Sequence, residues 1–427
     1  MSPRSYEQSP SDSTAKSPAT AQPSARPFVW AVHWVFPQAG FVRLPDGESK
    51  LGRGPGCRAV LSDTEVSREH ALLSVQGPLC ELADLQSRNG VSVDGERVSK
   101  APLSDGSIVR LGGTLGVVVY SPDAETKFSA NLEHGASEQL GSGKLHRLIE
   151  RARELAVLDE PVYIHGESGT GKEAFAQILH ESSRRRGDFI ALNCSTLRGE
   201  LSSAALFGHV KGAFSGATNS SLGAARAAQR GTLFLDEIAE LPRDTQPLLL
   251  RLLQNGQITP LGQSEPAHVD TRVVSASHED LFALCRTKDF RDDLYFRLTT
   301  HELRLPPLRE RREDIVGLFQ YFSGRSLQAL SAGFVEALLL LDFPGNVREL
   351  KGLAARLKIS ARDEQIWHAH LLRSGSSSGA PAAVPDPAAL DWKLLNEQHG
   401  GVAKRISEAT GIPATTVKRH LTKNGLR

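Results

Sequence analysis

Cysteine is scarce in this sequence. The four residues (Cys57, Cys80, Cys194, Cys285) lie far apart, with no CxxC pair and no histidine cluster nearby. A disulfide framework or zinc module is therefore excluded as the organising device, and a reducing cytoplasm is the expected setting. No apolar run approaches the roughly 18 residues of a membrane span, and no charged-then-apolar signal segment opens the chain. Neither sign of charge is in excess: the net charge is +1 with 23% charged residues, which excludes a globally basic nucleic-acid coat. What the chain does have is length, since 427 residues make room for two to four domains.

One stretch organises the rest. Gly166-Glu167-Ser168-Gly169-Thr170-Gly171-Lys172-Glu173 follows a short β-rich run, Pro161 to His165. It precedes Ala174, Phe175, Ile178 and Leu179 at helical spacing. Strand, glycine-rich turn and helix in that order describe a phosphate-binding loop. Its backbone N–H groups and helix N-terminus attract an anion, and Lys172 reaches the outer phosphates. Glu173 stands where the common motif places a magnesium-binding Ser or Thr. Further on, buried-strand runs alternate with helical stretches, as a parallel α/β sheet requires. Phe189–Asn193 is one such strand. Arg230 to Glu237 is another, ending in two acids at the edge where ligands of open α/β sheets bind. There Asp236 would hold Mg²⁺, directly or through water, and Glu237 would activate the attacking water.

With Glu after Lys, the octapeptide resembles the P-loop of bacterial enhancer-binding proteins, the AAA+ ATPases that activate sigma-54 promoters. The resemblance implies further parts. Asn193 falls where the family keeps an Asn that restrains the catalytic Glu. Gly212-Ala213-Phe214-Ser215-Gly216-Ala217 matches the loop that contacts the sigma factor, with Ser215 in place of the usual Thr and Val210 in place of an upstream acid. Glycines around one exposed Phe suit a loop that moves and presents an apolar tip. Thr271 to His278 matches the sensor strand, where Ser277-His278 replaces Thr-Asn and puts His278 at the γ-phosphate. One or both of Arg291 and Arg297 match the arginine finger supplied to a neighbouring subunit. An ion pair with Asp292 or Asp293 is the alternative for either. Phe343 to Leu350 matches the second sensor of a helical lid, with Arg348 on the nucleotide.

Ahead of this domain, Phe28 to about Tyr120 has short β-rich runs broken by turns, an all-β sandwich. Val91–Val98 reads as a hairpin with an Asp-Gly turn, and Pro102–Ile108 repeats the idea. Leu51-Gly52-Arg53, Val66-Ser67-Arg68-Glu69-His70 and Asp84 to Gly90 resemble the loops of the forkhead-associated (FHA) domain, a phosphothreonine reader. By that resemblance Arg53 and Ser67 hold the phosphate and Arg68 and Arg88 assist. Asn89 holds the peptide backbone, and His70 braces the loops from inside. A dianion suits such guanidinium forks and hydroxyl donors.

The ends differ in composition. Residues 1–26 are rich in Ser, Pro, Thr and Ala and read as a disordered tail, and 374–389 as a flexible linker. Leu390 to Arg427 carries seven Lys/Arg against three Asp/Glu, a net +4. Its three short helical patterns resemble a Fis-type helix-turn-helix. Ala414, Thr415, Thr416, Lys418, Arg419 and His420 would face the major groove or flanking phosphates of double-stranded DNA.

The fold expected is multidomain. An all-β FHA sandwich (27–121) precedes an α/β AAA+ P-loop ATPase with helical lid (137–373), and an all-α helix-turn-helix (390–427) follows. The function expected is a cytoplasmic, hexameric, ATP- and Mg²⁺-dependent activator of sigma-54 RNA polymerase with phosphothreonine input, since no receiver domain precedes the ATPase. The rival is a DNA-binding phosphopeptide adaptor or repressor with a weak ATPase. Ser215, Val210 and His278, the departures from the family pattern, keep that rival open.

Overall fold

A computed structural model describes residues 28–122, 143–197, 200–215, 217–362 and 364–375. The tail, Gly216, all but the first two residues of the expected 374–389 linker, and the whole carboxy-terminal segment lie outside the described residues. So do Ala414, Thr415, Thr416, Lys418, Arg419 and His420.

The amino-terminal unit has eleven strands: β1 (Val29–Phe36), β2 (Gly40–Leu44), β3 (Gly47–Gly52), β4 (Ala59–Val60), β5 (Ala71–Gln76), β6 (Leu79–Asp84), β7 (Val91–Val93), β8 (Glu96–Val98), β9 (Lys100–Leu103), β10 (Ile108–Leu111) and β11 (Thr114–Ser121). They form two sheets, ordered β2-β1-β11-β10-β7-β8 and β4-β3-β5-β6-β9, closed over a core containing Trp30, Leu51, Leu73, Leu82 and Val118. The β7–β8 hairpin turns at Asp94-Gly95, both left-handed (φ 50° and 84°), which matches the twist of the strands it joins. Pro102–Ile108 is not a second hairpin. Strand β9 pairs with β6 in one sheet and β10 with β7 and β11 in the other, so this Asp-Gly corner carries the chain between sheets. The same turn chemistry serves both jobs, and only the partner strands distinguish them.

The central domain begins with α1 (Gly143–Ala156), β12 (Val162–His165), α2 (Lys172–Glu181), β13 (Phe189–Asn193), α3 (Glu200–Phe207), α4 (Ala224–Ala227) and β14 (Thr232–Asp236). It continues through α5 (Gln246–Asn255), β15 (Gln257–Ile258), β16 (Ala267–His268), β17 (Arg272–Ser277), α6 (Leu281–Thr287), α7 (Asp292–Leu298) and β18 (His301–Arg304). Its five-stranded sheet runs β13-β14-β17-β12-β18, parallel throughout. The apolar stripe of α1 (Leu145, Ile149, Ala152, Leu155) is buried against β12 and α2, as its periodicity predicts. The lid follows as α8 (Ile315–Ser323), α9 (Ala332–Leu339), α10 (Asn346–Ser360) and α11 (His370–Gly375), packed around Phe319, Phe334 and Trp367.

The sandwich docks on the lid. Val35, Phe36, Ile108, Leu115 and Val117 join one apolar cluster with Ile315, Phe319, Phe334 and Val335 of the lid. This explains why β1 and β11 are apolar at nearly every position, since a strand covered on both faces has no solvent side to make polar. Arg110 Nη1 donates to Glu336 Oε2 at 2.6 Å across the seam, and Lys144 Nζ reaches Asp105 Oδ2 at 2.9 Å. A charge-assisted hydrogen bond at this half-buried seam is worth roughly 1.5–3 kcal/mol. Denaturant unfolding of a cycle of Arg110→Ala, Glu336→Ala and the double variant should return a coupling in that range. A coupling near zero would mean that this pair does not tie the sandwich to the lid and that the apolar cluster alone does.

Candidate functional site

The P-loop leaves β12 and enters α2 through Gly169 (φ 78°) and Gly171 (φ 108°), conformations that L side chains rarely adopt. Gly169 has a second constraint: a Cβ there would sit 2.3 Å from the Gly345 carbonyl oxygen of the lid. The lid closes on the loop at this point, where Val347 N–H donates to Gly169 O at 3.0 Å. Asn346, buried and left-handed (φ 52°), donates from Nδ2 to Ser168 O and to Glu167 Oε2, and its Oδ1 accepts from Leu308 N–H. Arg309 grips Glu167 with two bonds (2.6 and 2.8 Å), and Arg348 Nη1 donates to Ser168 Oγ at 3.0 Å. Arg309, with Asn346, holds the Glu167 carboxyl down at about 2. Arg311, buried, donates from Nη2 to Thr170 O.

Between loop and lid is a cleft of about 260 Å³ whose lining includes Lys172, Glu173, Asp236, Glu237, Arg348 and Lys351. Asp236 ends β14, one strand away from the loop across β17. Glu237 follows it in a left-handed conformation (φ 50°), strained for a non-glycine residue and typical of functional sites. Burial pushes the Asp236 carboxyl up, as does the neighbouring Glu237. Burial also pushes Glu237 up, but His278 and Lys172 outweigh it and hold that carboxyl below its ordinary value. Lys172 Nζ lies 3.6 Å from Glu237 Oε1 and donates to Gly166 O at 3.0 Å. The cleft thus collects cationic groups for phosphates and a paired carboxylate for a metal and a water. Asp236, half-buried with its charge opposed by burial and by Glu237, fits a divalent cation.

Several expected roles look different in place. Asn193 does not hold Glu237 here. Its Oδ1 accepts from Ser195 N–H and Ser195 Oγ–H (2.9 and 2.7 Å), capping a short turn. His278 takes that task, with Nδ1 2.6 Å from Glu237 Oε2. Arg291 makes the ion pair given as its alternative, to Asp293 (3.0 and 2.8 Å), whereas Arg297 donates to Leu253 O. Phe214 is not an exposed tip. The loop folds back through Gly212 N–H to Ala217 O, and the Phe214 ring packs on His209 with centroids 5.0 Å apart, half-buried. Arg309, Arg311, Asn346 and Lys351 were not singled out from sequence. Lys351 was legible, one helical turn beyond Arg348 on the same face.

In the sandwich the three loops converge on Ser67. Its backbone oxygen accepts from Arg53 N–H, its Oγ accepts from Arg88 N–H, and its N–H donates to His70 Nδ1. His70 is fully buried, and with Nδ1 accepting, Nε2 carries the proton toward Gly90 O at 3.1 Å. It braces the loops from inside. Arg53, Arg68 and Arg88 are exposed, with no ion pair to a described residue. Part of the Asn89 amide is already engaged, because Nδ2 donates to Glu65 O at 2.7 Å.

A P-loop, paired acids at a strand edge and a helical lid define an AAA+ ATPase domain. The comparisons agree: residues 139–304 match the Sigma-54 interaction domain, 309–385 the AAA+ ATPase lid domain and 50–112 the FHA domain. The chain is 39% identical over 302 residues to the C4-dicarboxylate transport transcriptional regulatory protein DctD of Rhizobium meliloti, 66% of this chain and 63% of that protein. It is 42% identical over 261 residues to the DNA-binding transcriptional regulator NtrC of Azospirillum brasilense, 58% of this chain and 54% of that protein. The crystal structure of NtrX from Brucella abortus in complex with ATP superimposes with a TM-score of 0.53 at 28% identity, over 67% of this chain and 69% of that one. Residues 139–304 thus form a Sigma-54 interaction domain, an AAA+ ATPase domain that follows an FHA domain, and the chain spans about half to two thirds of the length of the curated relatives it matches.

Removing Lys172 and removing His278 should have separable effects on ATP turnover. Lys172→Ala loses a charged contact of about 1.5–3 kcal/mol and should weaken nucleotide binding about 10- to 100-fold. His278→Ala frees the Glu237 carboxylate and should lower kcat about tenfold with little change in KM, a part of what a positioned base contributes. Steady-state kinetics of both variants checks the split, and a KM effect in His278→Ala would place His278 on the nucleotide instead.

Proposed function

We propose that the protein hydrolyses ATP to remodel sigma-54 RNA polymerase, acting as a ring-forming, DNA-bound activator under phosphothreonine control. The observation that carries this reading is the cleft itself, where Lys172, Asp236 and Glu237 face Arg348 of the lid. Lys172 and the P-loop amides bind the triphosphate, and Arg348 and Lys351 orient it from the lid side. Asp236 would hold Mg²⁺, which screens phosphate charge. Glu237, kept as a carboxylate by His278 and Lys172, accepts a proton from the attacking water. Arg291 or Arg297 would enter a neighbouring subunit's cleft once released from Asp293 or Leu253 O. The Gly212–Ala217 loop would engage the sigma factor after Phe214 leaves His209. The carboxy-terminal basic segment would hold enhancer-like DNA.

Single-round transcription with purified sigma-54 polymerase tests the whole reading. Wild type should activate, Glu237→Gln should bind ATP yet stall, and Phe214→Ala should abolish activation without lowering basal hydrolysis. Turnover per subunit should climb with protein concentration, because an arginine finger supplied in trans is worth on the order of 10³–10⁵ in rate. Failure of the wild type to activate, with hydrolysis intact, would favour the adaptor reading.

For the sandwich, a phosphothreonine peptide adds about −1.5 to −2 charges, which the exposed guanidinium groups around Ser67 can meet. Calorimetry should show binding of the phosphorylated peptide and not its unmodified form, with at least tenfold loss in Arg53→Ala. Equal affinity in both proteins would make those loops structural.

A further inference from the structure

A pocket of about 390 Å³ opens at the amino-terminal edge of the central sheet, the end opposite the nucleotide cleft. Residues ahead of β12, β13, β14 and β17 line it. They include four arginines (Arg184, Arg185, Arg186, Arg230) against two aspartates (Asp159, Asp270), a net charge of +2. Arg185 engages both acids: Nε and Nη2 donate to Asp159 at 2.8 and 2.9 Å, and Nη1 donates to Asp270 at 3.0 Å. Its neighbours Arg184 and Arg186 are exposed. Arg230 is pinned close to them, because its N–H donates to Asp270 O at 2.6 Å and its carbonyl accepts from Gly187 N–H at 2.9 Å. The guanidinium groups of Arg184, Arg186 and Arg230 make no ion pair or hydrogen bond to a described residue. Arg230 is also left-handed (φ 58°), a strained conformation that glycine would relieve, so the turn itself gives no reason for an arginine. Under the floor at Ala156, the buried Arg272 directs its fork to the carbonyl oxygens of Leu155 and Ala156 and adds a further positive charge.

We infer that this pocket binds a compact anion with two linked phosphates, either inorganic pyrophosphate or the diphosphate of a nucleotide. Guanidinium forks pair with phosphate oxygens two at a time, and three uncommitted forks surround one opening. A single phosphate brings about −1.5 to −2 charges. That is less than the lining and Arg272 together supply, and a second linked phosphate makes up the difference. The volume falls in the range of small-ligand pockets, roughly 300–1,000 Å³. Duplex DNA fits less well, since its phosphates follow a line and are met by a row of charges along a surface rather than by a pocket. Val157, 60% exposed on the lining, offers an apolar contact to a sugar or base. An occupant would tie together the segments that enter four of the five strands and stabilise the domain by mass action.

Calorimetry on the full chain at about 0.15 M salt, where exposed charges are well screened, would test this with pyrophosphate, GDP and inorganic phosphate as probes. The Lys172→Ala background weakens the nucleotide cleft and isolates the second site, and wild type run in parallel should show both. Pyrophosphate should bind saturably, at least tenfold tighter than inorganic phosphate, and Arg230→Gly should weaken it at least tenfold. Because glycine relieves the left-handed backbone, Arg230→Gly should keep or raise the melting temperature, so its loss of binding is not a loss of fold. Arg184→Ser should weaken binding several-fold. GDP tighter than pyrophosphate would make a nucleotide the source of the diphosphate, and GDP no tighter would make it inorganic pyrophosphate. No saturation, equal affinity for inorganic phosphate, or unchanged binding in Arg230→Gly would each overturn the inference. A short duplex DNA whose binding falls in Arg230→Gly, with pyrophosphate unbound, would give the patch to DNA instead.

Discussion

The approach of the lid to the P-loop is the constraint on which the site depends. Gly169 admits the Gly345 carbonyl only because it has no side chain, and Asn346 then ties Glu167, Ser168 and Leu308 together from a buried position. Without that closure, Arg348 and Lys351 would sit on a detached helical bundle and the cleft would have one wall. Each polar contact is modest, but they converge on three consecutive loop residues and fix the loop against a separate domain. The strain of left-handed Asn346 is compensated by the four bonds its amide makes or accepts.

Glu237 is held from two sides. Its carboxylate lies between Lys172 and His278, and the residue expected to hold it, Asn193, is committed to Ser195. An imidazole at the end of β17 reaches the base directly, so the sequence departure at His278 and the reassignment of Asn193 are two sides of one rearrangement. Both are consistent with a base held in place before any partner arrives.

Much of this was legible in the residues. The P-loop and the acids at the end of β14 follow from local pattern, because each depends on neighbours a few positions away, whereas the buried brace at His70 came from the resemblance of its loops to the FHA domain. What was not legible depends on contacts across the chain. Whether Pro102–Ile108 closes a hairpin or crosses between sheets is decided by β6 and β11. Phe214 looked exposed because His209, on which its ring packs, is fixed by pairing with Ser221 and the distant Leu261. The docking of the sandwich was written in β1 and β11, whose apolar runs, broken in β1 only by His33, exceed what a one-sided sheet needs. Nothing in their spacing says that the second cover is the lid.

The stretch from Arg309 to Arg312 touches two domains within four residues. Arg309 and Arg311 reach the P-loop at Glu167 and Thr170, whereas Arg312 reaches Gly106 O in the sandwich at 3.3 Å and Asp94 at 3.9 Å. A backbone so short cannot shift at one end and stay fixed at the other. Any preference of a nucleotide for one seating of this stretch must therefore be returned, kilocalorie for kilocalorie, as a preference of whatever the sandwich binds. If ligands at both ends shift this stretch, their coupling free energy is reciprocal, and a measurement of either affinity would report on both.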